Sequence, residues 1–244
     1  MSLLLAFGDQ ASSGVGVSEL ARRADLSKST AFRVLGILER NGAVERVGRQ
    51  YRLGARLHQL GQDVYPRQHD RVRDQLIPFV GDLYERTHHT VHLGALHDTD
   101  VIYLAKLYGR RRAPSPSRIG GRIPAHATAI GKALLAHDAD ACEQALGGYL
   151  AQLTSSTITD PMDLAAELDR VRRRGVAYDR EEVQPGLFCI AVPILSHSGR
   201  PLAALSVSVP RSCDIERVEP VLRHVAADAA RALVRPAPPI GRTT

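Results

Sequence analysis

A chain of 244 residues, 44% hydrophobic and 24% charged, is long enough for two globular domains and too apolar to be a disordered chain. It contains no run of about 18 apolar residues, and the apolar start at Leu3–Phe7 is soon broken without a basic leader or cleavage site, so no membrane partner and a cytoplasmic location are expected. Three scattered cysteines (Cys142, Cys189, Cys213) exclude a disulfide framework and a paired-cysteine zinc site, while a formal net charge of +6 permits a polyanionic partner without requiring one.

The first sixty residues read as helices. Leu3 to Phe7 suits a short helix, and Ser12-Ser13-Gly14-Val15-Gly16 reads as a loop. Ser18 is placed to cap a second helix through Ala24, and Ser27 a third whose apolar stripe is Ala31, Val34, Leu35 and Leu38, ending at Asn41-Gly42. Two helices joined by a tight turn with a shared core match a helix-turn-helix, although a helical pair with no DNA role has the same pattern. Two features favour DNA. Ser27, Lys28, Ser29, Thr30 and Arg33 keep polar donors off the apolar stripe, as a helix entering a major groove requires. Ala43 to Leu53 forms two β-prone runs around a Gly turn carrying Arg46, Arg49 and Arg52, a plausible wing. Residues 1–66 hold nine basic against six acidic side chains, so the placement of Lys28, Arg33, Arg46 and Arg49 counts for more than the sum.

Ala55 to Tyr65 reads as a connecting helix broken at Pro66, and Arg71 to Arg86 as a helix interrupted or bent at Pro78. Thr90–Leu96 and Val101–Leu107 alternate like strands around an Asp98-Thr99-Asp100 loop, which begins an antiparallel sheet. Gly109 to Arg118 is too polar and broken for the core. Helices are expected over 139–150 and 163–174, the second with Leu164, Leu168 and Val171 on one side. Leu187–Ile194 and Leu202–Val209 follow as strands, and a last helix runs from about Glu216 to Leu233. Ser206 and Ser208 are two apart, so both hydroxyls point to one side; they bond to neighbouring backbone or line a polar pocket with Cys189 and Asp179.

The stretch Gly120 to Ala136 lies between these halves. A Gly pair suits a turn, Pro124 is placed to start a helix, and small and apolar residues continue it. Free N–H groups at such a start can hold an anion, with Thr128 and His126 as further donors. Close packing of small residues is the competing reading.

Three stretches together resemble the isocitrate lyase regulator (IclR) family of bacterial transcription factors: Val17–Ala21 through Leu26–Leu35 with Tyr51–Gly54, then Ile123–Ala133, then Gly175–Ile194 with Glu181-Glu182, Gly186 and Cys189. The resemblance covers nearly all of the chain. It implies an α+β protein: a winged helix-turn-helix over 1–54, a dimerising linker helix over 55–69, a GAF/PAS-like effector-binding domain with an antiparallel sheet over 70–235, and a disordered tail over 236–244. It also implies double-stranded operator DNA, a small organic acid or aromatic effector, and a homodimer or homotetramer as partners, with no cofactor, no metal and no catalytic residue. Carried over by position, the effector contacts are Ala129, Ile130, Asp179, Cys189, Ser206 and Ser208, which leaves His126, Thr128 and Lys132 as supports of the helix start. Two places depart from the family. Met1 stands almost inside the first helix, where a longer arm is usual, and Ile130 fills a place where a smaller residue would leave more room, which disfavours a two-carbon acid.

Two other functions have a sequence basis. Cys189 assisted by His126 or another His would make a cysteine-dependent enzyme, with Thr128 and Lys132 on substrate, though an apolar strand favours an inert thiol. His88, His89, His92 and His97 would make a metal sensor, though His92 and His97 differ in parity along a regular strand.

Overall fold

The computed structural model describes residues 1–8, 13–62, 67–110 and 115–234. Expectations for Pro66, for part of the Gly109–Arg118 loop and for the tail over 236–244 lie outside them. The chain divides into two compact units, Met1–Arg67 and Gln68–Thr244.

The first unit comprises α1 (Ser2–Leu5), β1 (Val15–Gly16), α2 (Val17–Arg23), α3 (Lys28–Arg40), β2 (Val44–Val47), β3 (Gln50–Leu53) and α4 (Ala55–Gln62). Ser27 caps α3 by accepting the Thr30 N–H at 3.1 Å. Ala31 and Leu35 are buried, with Val34 and Leu38 packed at their margin, against Leu3, Phe7, Leu20, Val44 and Tyr51. The α2–α3 pair is thereby welded to a hairpin. Two expectations fail here. Val15–Gly16 is a strand, not loop, because it pairs with Gln50 and Tyr51 of β3 and gives the sheet order β1-β3-β2. Helix α2 starts at Val17 after Gly16 without a side-chain cap, so Ser18 lies inside the first turn.

Helix α5 (Arg67–Thr87), all but its first residue in the second unit, runs unbroken through Pro78 and buries Val72, Leu76, Val80 and Leu83. A proline costs the helix one hydrogen bond, and here the spacing of buried residues outweighs it. Six antiparallel strands follow: β4 (Thr90–His97), β5 (Asp100–Leu107), β6 (Arg122–Pro124), β7 (Ala177–Arg180), β8 (Leu187–Leu195) and β9 (Pro201–Pro210), in the order β6-β5-β4-β9-β8-β7. Asp100 belongs to β5, so the β4–β5 turn is shorter than expected, and opposite Leu93/Gly94 a bulge leaves Leu104 of β5 as the extra residue, while β4 itself stays in register with β9. Between β6 and β7 lie α6 (Ala129–Leu135), α7 (Ala139–Gly147) and α8 (Pro161–Arg174), and α9 (Glu219–Val234) closes the unit after a short 3₁₀ turn over Ile215–Val218. Helix α8 begins two residues early because Asp160 accepts the Met162 and Asp163 N–H groups and Pro161 fits the first helical position. Helix α9 packs on β8 and β9, and α6 packs against β8, β9, β7 and β4.

The central stretch is built differently from its sequence reading. Pro124 ends β6 rather than starting a helix, and a 3₁₀ turn over Ala125–Ala127 intervenes. Thr128 then caps α6 through the Gly131 N–H at 2.8 Å. Every residue of α6 is buried. A Cβ on Gly131 would lie 2.1 Å from the Ala125 carbonyl oxygen, and one on Gly94 3.0 Å from Ile130 Cγ2. Gly131→Ala therefore forces backbone against backbone; we expect a loss of ~3 kcal/mol and a fall in Tm of at least about 5 °C, read by thermal unfolding. An unchanged Tm would mean that the turn yields freely.

Candidate functional site

Strand register decides what meets at α6. Asp179 of β7 stands opposite Cys189 of β8, Cys189 opposite Ser208 of β9, and Ser208 opposite Thr90 of β4. One pleat away, Ala191 pairs with Ser206 and Ser206 with His92. Residues two apart on a strand share a face, so Asp179, Cys189, Ser206, Ser208 and His92 point to one side of the sheet. Together with Thr128, Ala129 and Ile130 at the start of α6, they line a cavity of about 20 Å³. That is room for about one water molecule. Tyr103, Ser115, Pro116, Ile123, Val183 and Leu187 complete the wall.

The six effector positions expected from sequence are therefore brought together at one cavity. His92 and Tyr103 join them, although nothing in the sequence placed them there, and so does Thr128, first weighed as a donor at the helix start and then left as a support. The parity of β4 puts His92 on one face, but nothing in the sequence says that β9 would be its neighbour.

Polarity in the cavity is arranged by burial. The Asp179 carboxyl accepts the backbone N–H of Glu182 at 2.7 Å and of Val183 at 3.4 Å. Burial nevertheless pushes its pKa up to about 7 against those two donors, so near neutral pH it can donate as well as accept. The Cys189 thiol lies 3.0 Å from the Ser208 hydroxyl. Burial, followed by the neighbouring Asp179, drives the thiol pKa well above its ordinary value. Burial and then the cation of Lys106 pull His92 down to about 3, so its ring is neutral. At the start of α6 the Thr128 hydroxyl takes the Gly131 N–H. The N–H groups of Ala129 and Ile130 precede any intrahelical acceptor and are the donors that a first turn leaves for a ligand.

A buried ion pair holds one wall. Lys132 is fully buried, and its Nζ donates to Glu182 Oε1 at 2.6 Å with Glu167 Oε1 at 3.8 Å. The Thr154 and Thr157 hydroxyls donate to the Glu181 and Glu182 carbonyl oxygens at 2.7 and 2.6 Å. The segment that carries Val183 into the wall is thus gripped on both sides. His126 sits away from the cavity lining, with Nε2 3.0 Å from the Ala151 carbonyl oxygen.

In the first unit Ser27, Lys28, Ser29 and Arg33 are exposed and Thr30 is half-buried. The Ser27 hydroxyl donates to Thr30 Oγ1 at 2.8 Å and lies 3.0 Å from Ser29 Oγ, so this trio braces the start of α3 while Lys28 and Arg33 extend from it. On the hairpin Arg46 donates to the Gly48 carbonyl oxygen at 3.2 Å, and Arg49 is exposed at the turn. Arg52 is tied to Glu45 at 2.6 Å, which neutralises it.

The cysteine-enzyme reading fails on chemistry. An attacking thiol needs a lowered pKa and a base, whereas the Cys189 pKa is raised and its thiol is held by Ser208 and Asp179, with His126 bonded to Ala151 and both ring nitrogens of His92 engaged by Ser117 and Ser206. Among the described residues no group of three His, Cys, Asp or Glu side chains is placed to hold a metal ion, and no helix is long and apolar enough to cross a membrane.

Comparison with known proteins gives two family matches: the IclR helix-turn-helix domain over residues 1–48 and the bacterial transcriptional regulator IclR C-terminal domain over residues 67–235. The chain is 37% identical over 212 residues to the HTH-type transcriptional regulator KdgR of Escherichia coli, covering 85% of this chain and 79% of that one. Among solved structures, the Thermotoga maritima IclR is 32% identical with a TM-score of 0.77, covering 96% of both chains. An IclR homologue from Microbacterium hydrocarbonoxydans complexed with 4-hydroxybenzoate is 30% identical with a TM-score of 0.75, again covering 96% of both chains.

The Asp179 pKa makes a signed prediction. Unfolded, the carboxyl titrates near 3.8, and folded near 7. Below the first value both states hold the proton and the group costs nothing. As pH climbs between the two values the unfolded chain releases its proton first, so the folded state loses on the order of 4 kcal/mol, and the loss is complete above the second. Asp179→Asn keeps an acceptor for Glu182 and removes this loss. The Tm difference, variant minus parent, should be near zero at pH 4 and positive at pH 8; a difference flat with pH would refute the assignment.

Proposed function

The chain belongs to the IclR family of transcriptional regulators, and on that premise we propose that α3 and the β2–β3 hairpin read operator DNA while the cavity beneath α6 takes a small organic acid with an aromatic or other apolar portion. For DNA, the assignment rests on residue chemistry and exposure. Lys28, Arg33 and Arg49 project into solvent as phosphate or guanine ligands, Arg46 supports the hairpin turn, and the Ser27, Ser29 and Thr30 hydroxyls add short-range donors.

For the effector, the single observation that carries the reading is the convergence of Asp179, Cys189, Ser206 and Ser208 from three strands onto the first turn of α6. An acid fits that set. Its carboxylate meets the Ala129 and Ile130 N–H groups, and Asp179 with its raised pKa and the serine hydroxyls meet its oxygens without forcing two bare anions together. Ile130 offers an apolar surface at the same place, which supports an aromatic or aliphatic body over a two-carbon acid. The relative solved with 4-hydroxybenzoate supports the same class of ligand.

A cavity of about 20 Å³ cannot hold such a molecule unless its walls move. Coupling follows from that mismatch. The effector binds an expanded arrangement more tightly than the closed one, and differential affinity is what drives a change at the DNA-binding unit. We place two or four copies of the chain on the operator, since paired recognition helices match paired half-sites; the exposed Leu60 of α4 supports pairing through that helix.

Two measurements test this. Arg33→Ala and Arg49→Ala should each weaken operator binding while leaving acid binding intact, and a lost phosphate contact should reduce the slope of log affinity against log salt by about 1. Equal DNA affinity in both variants would remove α3 and the hairpin from the interface. In a thermal-shift series 4-hydroxybenzoate and related aromatic acids should raise the Tm and glycolate should not; stabilisation by glycolate alone would reverse the size argument.

A further inference from the structure

Behind the cavity wall a cation is buried without an acid. Lys106, on β5, is 9% exposed, and among the described residues no carboxylate forms an ion pair with it. Its Nζ donates instead to the Ser117 carbonyl oxygen at 2.7 Å and to Ser117 Oγ at 3.0 Å. Ser117 Oγ lies 2.8 Å from His92 Nε2, and His92 Nδ1 lies 3.4 Å from Ser206 Oγ, which lines the cavity. Ser115 Oγ is 2.7 Å from Ser117 Oγ on the other side.

Donor counting allows this chain two directions, which differ in the tautomer of His92. An ammonium donates and never accepts, so Ser117 Oγ accepts from Lys106. Where Ser115 donates to Ser117 as well, both lone pairs of Ser117 are used and its one proton goes to His92 Nε2; where Ser117 donates to Ser115 instead, the Nε2–H of His92 donates to Ser117. The ring is neutral, because burial keeps its pKa low. In the first arrangement its single proton sits on Nδ1, facing Ser206. Ser206 accepts there and has its own proton left for the cavity.

We propose that Lys106 is a positioning residue for effector recognition: through Ser117 and His92 it sets the Ser206 hydroxyl as a donor into the cavity, so that the effector group held against β9 is an anionic oxygen. This rests on the effector reading and deepens it. The chain is polarised from a buried charge, and each donor in it strengthens the next. A carboxylate or phenolate oxygen gains from that arrangement, and a group that only donates is rejected.

The test uses the full chain with ¹⁵N-labelled histidine, the His92 signals being assigned by their loss in His92→Gln. In the parent His92 Nε2 should be unprotonated and Nδ1 protonated; Lys106→Met should mix or invert that tautomer, and Lys106→Arg should retain it. Calorimetry supplies the second readout, with 4-hydroxybenzoate as the probe and 4-hydroxybenzyl alcohol as its neutral counterpart. Lys106→Met should weaken binding of the acid by about tenfold while changing the alcohol little, the size expected for a hydrogen bond to a charged group. Lys106→Arg should recover most of the loss. Should Lys106→Met fail to fold, Ser117→Ala cuts the same chain with a smaller change. A parent tautomer protonated on Nε2, or a tautomer and acid affinity unchanged in the folded Lys106→Met and Ser117→Ala variants, would overturn the proposal. Failure of the parent to bind any acid would overturn the effector reading instead, and the His92 tautomer would still decide the relay.

Discussion

Everything around the cavity depends on how closely α6 can lie on the sheet. Gly94 leaves room for Ile130 to seat on β4, and Gly131 lets the start of α6 fold tightly against the Ala125 carbonyl of the preceding 3₁₀ turn, at a distance that no side chain could share. Small residues on the facing strands, Ala177, Ala191 and Ala204, extend the same close contact. Without that approach the first turn of α6 would stand too far from Cys189 and Ser208 for one small ligand to touch both. The contact is also what makes Lys132 unusual: a lysine on a fully buried helix has to carry its own counter-ion, and Glu182 supplies it. Burying such a pair is weak evidence for stability. It does tie the segment after β7 to the helix that opens the cavity.

Inside the cavity, burial rather than formal charge sets the chemistry. Asp179 and Cys189 are both pushed towards their protonated forms, and His92 towards its neutral form. A site rich in ionisable residues thereby becomes a set of hydrogen-bond donors near neutral pH, suited to an anion. Catalysis would need the opposite: a thiol shifted down and a base beside it. The same residue types in the same strands can therefore support recognition while excluding nucleophilic chemistry.

The DNA-binding unit follows a different logic, since its residues act by being exposed. Here the local rules suffice. An apolar stripe buries one face of α3, Ser27 closes its first turn, and what remains outward is Ser29, Arg33 and the arginine-bearing hairpin. Electrostatic attraction to phosphate needs no precise neighbour, only an unpaired cation in solvent. Arg52 illustrates the limit: its type and place suit a wing, but Glu45 across the hairpin pairs with it.

By itself the sequence determined the helix-turn-helix and its hairpin, the strand character of β4, β5, β8 and β9, and the common face of Ser206 and Ser208, because these follow from periodicity over a few residues. Its family motifs also named six positions that meet at one cavity. Other features were not legible. Thr128 rather than Pro124 starts α6, and Val15–Gly16 pairs as a strand, because a cap and a ladder depend on which backbone lies opposite. The link from Lys106 through Ser117 to His92 and Ser206 joins residues spread over a hundred positions. Alternation along a strand says which way a side chain points, but only the order of strands in the sheet, settled by packing against α6 on one side and α9 on the other, decides what it meets. The shifted pKa values are decided with it, since desolvation belongs to the folded environment and not to the residue.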